Sequence, residues 1–271
     1  MEQITSTANA RVKEVLLLGE KSRYRRQTGL FTVEGRREIA ACLAGGFDAR
    51  TVYWCADIIT EAEVHDLFAA ASPAAAPEFV GISSSVYSRM AYRDSTEGLV
   101  AVFRSRERSL GDIVLADAEV PFVIVLESVE KPGNLGAILR TADASGAAAV
   151  IVCDPLTDLY NPNLIRASLG GVFTVPVAAC SSGEAYEWLH SAGFQILTAQ
   201  LQDSSPYYDI DFRKPSAVVF GTESTGLSRF WRERSDRKLL IPMLGKLDSL
   251  NVSASVAVLS YEAVRQKLSS K

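Results

Sequence analysis

From Phe122 onward the chain alternates short apolar runs with amphipathic stretches, and this alternation constrains its fold more than any other feature. Phe122-Val-Ile-Val-Leu126 is a continuous apolar run, the pattern of a strand covered on both faces. The spacing then predicts a helix over 134–145, a strand over 148–153, a helix over 162–169, a strand over 174–179 and a helix over 184–192. Strands over 194–199 and 216–221, a short helix near 228–234, a strand over 238–242 and a long helix over 251–268 complete the series. Such alternation predicts an α/β domain with a mostly parallel sheet and helices on both faces. Ligands of such sheets sit beyond the carboxyl ends of the strands.

The first part of the chain reads as a smaller α/β unit. A helix over 8–20 carries Val12, Val15, Leu16 and Leu18 as its apolar stripe, and a polar basic stretch, 21–29, follows. A strand near 30–33, a helix over 35–44, a strand over 50–55 and a helix over 60–71 come next. The Ala-Ser-Pro-Ala-Ala-Ala-Pro run at 71–77 breaks the pattern, and a strand over 78–82, a helix over 83–91 and a strand over 98–103 close the unit. The expected organisation is a basic helix and arm over 1–29, a small α/β domain over 30–104, a linker over 105–119 and a larger domain over 120–271.

The formal charge of −4 argues against a nucleic-acid partner only if the charge is evenly spread. Between Arg11 and Arg37 there are eight basic residues and three acidic ones, and Arg104, Arg106 and Arg108 form a second cluster. Each cluster alone is consistent with a solvated face; together they suggest a basic arm and hinge on an acidic body. Cys42, Cys55, Cys153 and Cys180 form no Cys-x-x-Cys pair, so no zinc or dithiol motif is indicated. Reduced thiols, no membrane-length apolar run and no charged leader before an apolar stretch lead us to expect a cytoplasmic protein.

Three segments carry polar groups next to strand ends and helix starts. In Asn134-Leu-Gly-Ala-Ile-Leu-Arg140, Asn134 reads as a helix N-cap and Arg140 points away from the apolar stripe. Arg140 on position alone suits solvent as well as a phosphate clamp. In Gly221-Thr-Glu-Ser-Thr-Gly-Leu-Ser228, two glycines flank Glu223 and let main-chain groups approach a flat ligand. In Ile241-Pro-Met-Leu-Gly245 and Ser249-Leu-Asn-Val-Ser253, a strand exit leads to a helix whose first turns are small. The chain lacks a Gly-x-Gly-x-x-Gly fingerprint after its first apolar run, a Gly-x-x-x-x-Gly-Lys-Ser/Thr loop and a Gly-x-Ser-x-Gly elbow.

Taken in order, the segments resemble the three motifs of the SpoU (TrmH) family of RNA ribose 2′-O-methyltransferases, in the SPOUT superfamily. The resemblance covers residues 120–268. The N-terminal unit is similar to the family's RNA-binding domain, and Phe31-Thr-Val-Glu-Gly35 is similar to members acting on ribosomal RNA. The resemblance implies a deep trefoil knot forming an S-adenosylmethionine pocket, and a homodimer through the C-terminal domain. It implies cofactor contacts from Thr198, Ala199, Gln200, Gly221, Glu223, Ile241, Met243, Leu250, Ser253 and Ala254. Asn134, Arg140, Glu223, Ser249 and Asn251 are then the catalytic set, with Arg140 on the target phosphate and hydroxyl. Its guanidinium suits stabilisation of a developing alkoxide better than proton abstraction. Arg23, Arg25, Arg26, Arg36, Arg140 and Arg166 are expected to bind RNA, and no metal is required.

Two positions depart from the family pattern. Lys131 stands where members often have Asp, and Asn163 where they often have Lys, so particular phosphate contacts differ. Ribosomal RNA is the favoured substrate because of the extra N-terminal unit. A transfer RNA methyltransferase and a non-catalytic RNA-binding factor are the alternatives.

Overall fold

The computed structural model describes residues 3–69, 76–91, 97–115, 120–222 and 224–269. By its internal contacts the chain divides into two units. One holds the described residues up to Glu107 together with Asp158–Thr174; the other holds Arg108–Thr157 and those from Val175 onward.

The first unit runs β1 (Gln3–Ile4), α1 (Ala10–Glu20), α2 (Ser22–Thr28), β2 (Leu30–Glu34), α3 (Arg36–Ala44), β3 (Ala49–Cys55), α4 (Glu61–Ala69), β4 (Glu78–Ile82), α5 (Ser84–Met90) and β5 (Leu99–Arg104). Its sheet has the order β1-β4-β3-β5-β2, parallel across β1, β4 and β3 and antiparallel from β3 through β5 to β2. One face packs Val12, Val15 and Leu18 of α1 and Val86 of α5 over Leu30, Val100 and Val102. Because side chains alternate along a strand, Phe31 of β2 faces the opposite way. There it stacks on Tyr160 at 4.4 Å and on Phe173 at 5.7 Å between ring centres.

The stretch over 21–29, expected as a polar arm, instead contains the helix α2. Its fixed point is Arg25, buried at 4% side-chain exposure, whose Nε donates to Asp158 at 2.6 Å and whose Nη1 donates to the Leu18 carbonyl at 2.6 Å. Gly29 ends the helix in the left-handed conformation, with φ of 63°. Tyr160 Oη donates to the Arg106 carbonyl at 2.6 Å, so residues 158–174 make their contacts within this unit although the strand–helix pattern placed them in the second.

The second unit begins with β6 (Phe122–Glu127), α6 (Pro132–Ser145) and β7 (Ala149–Cys153). After α7 (Pro162–Ala167) and α8 (Gly171–Thr174), which belong to the first unit, it resumes with β8 (Val177–Cys180), α9 (Ser182–Ser191) and β9 (Gln195–Ala199). Then come β10 (Ser205–Pro206), β11 (Ser216–Phe220), α10 (Arg229–Arg234), β12 (Arg237–Leu240) and α11 (Val252–Leu268). The sheet order is β10-β12-β9-β11-β6-β7-β8, and each neighbouring pair is parallel. β6, β7 and β11 are buried along their whole lengths, which explains their apolar runs Phe122–Leu126, Ala149–Cys153 and Ala217–Phe220. Ala185 and Leu189 of α9 and Trp231 of α10 cover one face, while α11 packs on α6 and β6.

The helix expected from Asn134 starts earlier. Lys131 is the cap, Pro132 takes the first turn, and Asn134 lies inside it. Proline is suited to that position because it has no N–H to leave unpaired. Cys42, Cys55 and Cys153 are buried, and none of the four cysteines is bridged. Among the described residues no helix is long and apolar enough to cross a membrane.

Candidate functional site

The three segments meet at the carboxyl ends of β9, β11 and β6. A cavity of about 500 Å³ lies there, within the range of small-molecule sites. Ala199 and Gln200 enter it from the end of β9, Phe220 and Gly221 from the end of β11, and Ser249, Leu250 and Asn251 from the entry to α11. A smaller cavity of about 130 Å³ adjoins it, shares Gly221, Thr222 and Val252 with it, and reaches Lys131 and Asn134.

Backbone geometry makes much of this site. At Gly221 a Cβ would stand 2.3 Å from the carbonyl carbon of Gly226 and 2.4 Å from the Leu227 nitrogen, so no side chain fits. Thr222 and Gly226 exchange main-chain hydrogen bonds at 3.2 and 3.0 Å, and the Thr225 amide donates to Thr222 Oγ1 at 3.0 Å. The result is a tight turn, and Gly221, Thr222, Thr225, Gly226 and Leu227 line the cavity. At its far end the Ser228 amide donates to the buried Glu127 carboxylate at 2.8 Å, which anchors the turn to β6.

The first and third segments are joined directly. Asn251 caps α11 by accepting from the Ser253 amide at 3.0 Å and from Ser253 Oγ at 2.6 Å. Its Nδ2 donates to Asn134 Oδ1 at 3.2 Å, across 117 residues of sequence. Ser249 Oγ donates to Asp248 Oδ1 at 3.2 Å on the cavity wall. The cap, the Asn–Asn contact and the α6–α11 packing therefore fix one corner of the site.

Not every expected residue lines the cavity. Thr198 is fully buried inside β9, hydrogen-bonded through Oγ1 to Ser235 Oγ at 3.1 Å. Ile241 and Met243 are half-buried beyond the end of β12, and the wall is supplied by residues 248–252 instead. Ser253 turns toward the Asn251 cap and Ala254 is exposed, so Val252 and Ser255 take the lining positions on α11. Arg140 is exposed on α6 and lines neither cavity. Glu223 lies outside the described residues.

Sequence reasoning missed Arg232 and Asp248 on the wall of the larger cavity. Arg232 Nη2 approaches the Thr225 carbonyl at 3.5 Å, so α10 supports the glycine turn. Its position on the short helix after the second segment was the available signal. Glu127 was also missed, although a carboxylate closing an otherwise apolar strand is a recognisable anomaly.

The expected RNA-facing arginines divide. Arg23 and Arg26 are exposed. Arg25 is removed from any RNA-facing surface by its buried pair with Asp158. Arg36 Nη1 pairs with Glu63 at 3.1 Å, and Arg166 lies 3.7 Å from Glu34.

The SpoU rRNA Methylase family matches residues 121–261, and the MRM3-like substrate binding domain matches residues 9–101. A 23S rRNA (uridine(2479)-2′-O)-methyltransferase of Streptomyces viridochromogenes is 30% identical, covering 99% of this chain and 94% of its own. The structure of an AdoMet-bound rRNA methyltransferase from Sinorhizobium meliloti superposes with a TM-score of 0.87 at 30% identity, over 97% of both chains. A TrmH/SpoU tRNA modifying enzyme from A. aeolicus, at 27% identity and a TM-score of 0.51, covers 56% of this chain and 78% of its own. Matched by that family over more than half its length, and by a full-length relative, the chain belongs to the SpoU rRNA Methylase family.

Proposed function

We propose that this chain is an S-adenosylmethionine-dependent methyltransferase that methylates a ribose 2′-hydroxyl of ribosomal RNA. The observation that carries the reading is the convergence of the second and third segments on one cavity at the strand ends, with Asn134 of the first hydrogen-bonded to Asn251 on its wall and lining the adjoining smaller cavity. Its volume fits a small-molecule cofactor, and the turn that supplies part of its wall can close only with glycine at 221. The cofactor, when bound, supplies an activated methyl group on sulfur. Gly221, Thr222, Thr225, Gly226 and Leu250 would hold it, and Asn251 with Asn134 fixes the wall beside it. Arg140 grips the RNA backbone from the exposed face of α6 and stabilises charge growing on the attacking oxygen.

Ribosomal RNA is favoured over transfer RNA because relatives named for ribosomal RNA extend over both units, while the tRNA enzyme aligns with little more than half the chain. The protein works as a cytoplasmic homodimer through its second unit. Leu244, Leu247 and Tyr261 support the dimer, since all three are exposed there at 98%, 76% and 51%. The loops over 221–227 and 241–251 are read as parts of a trefoil knot around the cavity. The test is transfer of labelled methyl from S-adenosylmethionine to ribosomal RNA, with nuclease mapping of the product. Arg140→Ala should abolish transfer and leave cofactor binding intact by calorimetry. Full activity of that variant would remove Arg140 from the mechanism.

A further inference from the structure

The first unit contains its own cavity, of about 250 Å³, bounded by α1, β2, α5 and α7. The Phe31-Thr-Val-Glu-Gly35 stretch supplies its floor, through Thr32 and Glu34, which share one face of β2. Leu30, on that same face, belongs to the apolar core, so the strand changes from apolar to polar where it passes under the cavity. Thr32 is 8% exposed and the Glu34 side chain 12%. Buried polar groups of this kind are costly unless they meet hydrogen-bonding partners. Val15 and Met90 give the walls apolar surface, and Gly19 of α1 leaves the space open, since a Cβ there would meet nothing within 4 Å.

The charge around the cavity selects among ligands. Glu20, Glu34 and Glu38 face it against Arg89 and Arg166, a balance that disfavours a phosphate inside. A flat, neutral, donor-rich group fits better. Among nucleobases, guanine alone presents two adjacent N–H donors, N1–H and the 2-amino group, to a carboxylate that only accepts. Uracil would turn carbonyl oxygens toward Glu34, and adenine or cytosine a ring-nitrogen acceptor.

We propose that this cavity receives an unstacked guanine base of the RNA substrate. The proposal rests on the RNA-methyltransferase reading and names a recognition site for its substrate. Glu34 accepts from the Watson–Crick edge, the Thr32 hydroxyl serves the O6 side, and Met90 and Val15 contact the ring faces. Arg166, 3.7 Å from Glu34, orients the carboxylate, and the exposed Arg89 meets the phosphate chain outside.

The test uses the full chain with S-adenosylhomocysteine saturating the second unit's cavity. Guanosine, adenosine, cytidine and uridine are titrated separately while the methyl signals of Val15, Met90 and Ile165 are followed by NMR. Guanosine alone should move them, and Glu34→Gln should weaken its binding at least about tenfold. Gly19→Leu should fill the cavity and block guanosine while keeping the thermal midpoint of the wild type. Equal shifts from all four nucleosides, no shift from any, or normal guanosine binding by Gly19→Leu would each overturn the proposal and leave a water-filled void. Shifts caused by a lysine peptide and not by guanosine would overturn it in favour of a protein partner. In parallel, Glu34→Gln should raise KM for ribosomal RNA with kcat unchanged. Absent methyl transfer by the wild type alongside selective guanosine binding would sink the enzymatic reading alone. Normal transfer without guanosine selectivity would sink the pocket alone.

Discussion

The two units each combine a sheet with helices, yet they make their polar sites by different means. In the second unit the site is framed by local turn geometry: a turn closed by Gly221 and Gly226 and a helix cap at Asn251. In the first unit the polar features are side chains whose roles depend on distant partners. Arg25 reaches Asp158 across 133 residues, and Arg50 reaches Glu14 across 36. The contrast teaches that a locally determined site leaves its signature in a few adjacent residues, whereas a cluster of like charges does not disclose which members remain exposed.

Breaking the buried Arg25–Asp158 pair gives the largest expected effect. Arg25→Ala strands the Asp158 carboxylate at low exposure and should cost about 3–5 kcal/mol. The denaturant midpoint of the first unit reports it. An unchanged midpoint would return Arg25 to the exposed basic surface and erase the distinction drawn between it and Arg23.

The corresponding break in the second unit is Gly221→Ala. The added methyl would overlap the backbone of Gly226, a crowding that costs about 1–3 kcal/mol. The S-adenosylmethionine dissociation constant should rise about tenfold or more. Gly133→Ala is the control, since a Cβ there meets nothing within 4 Å. Equal affinities for the two variants would mean that the turn does not shape the cofactor cavity.

These cases explain how much could be read from the sequence. The parallel sheet was legible because β6, β7 and β11 are buried on both faces and therefore consist almost wholly of apolar residues, with Glu127 and Ser216 as the polar ends. The gathering of the three segments was legible because close backbone approach demands glycine. The helix α2 was not, because its sequence has no apolar stripe and its buried residue is an arginine held by tertiary contacts. The start of α6 was misplaced because Asn134 has the chemistry of a cap, but Pro132 begins the helix two residues earlier. Which residues line the cavity also escaped local reasoning. Thr198 belongs to the right strand, yet it points into the sheet's packing, while Arg232 arrives from another helix.

Smaller substitutions sharpen the same contrast. Asn251→Ala removes the cap of α11 and the contact with Asn134 together, and should cost about 1 kcal/mol from the cap alone. Asn251→Asp retains a capping oxygen but lacks the Nδ2 donor, so it separates the two contributions in thermal unfolding. On the first unit, Arg23→Ala and Arg26→Ala should leave stability unchanged, since both side chains are exposed. Each should instead lower the slope of log affinity for RNA against log salt by about one. Salt slopes identical to that of the wild type would remove this surface from RNA binding.

The smallest expected effect concerns pH and a carboxylate remote from the cavity. Glu262 of α11 is 9% exposed and accepts from Arg265 at 2.7 and 2.8 Å and from Gln266 Nε2 at 2.7 Å. The hydrogen bonds from Arg265, followed by that from Gln266, outweigh burial and hold this carboxyl below the usual glutamate range. Gln266 also accepts from the Phe212 amide at 2.8 Å and donates to the Ile210 carbonyl at 2.9 Å, so the carboxylate supports the packing of residues 210–212 on α11. Because the folded-state pKa is depressed, the stabilisation is complete above the unfolded value of about 4.3 and is lost as pH falls through the lower folded value. Arg265 is 61% exposed, so solvent screening limits the contribution to about 1 kcal/mol or less. Glu262→Gln should therefore lower the thermal midpoint slightly at neutral pH, and the gap from the wild type should close on acidification below the usual glutamate range. A gap that persists under acid would assign the role of Glu262 to shape and hydrogen bonding, with no part for its charge.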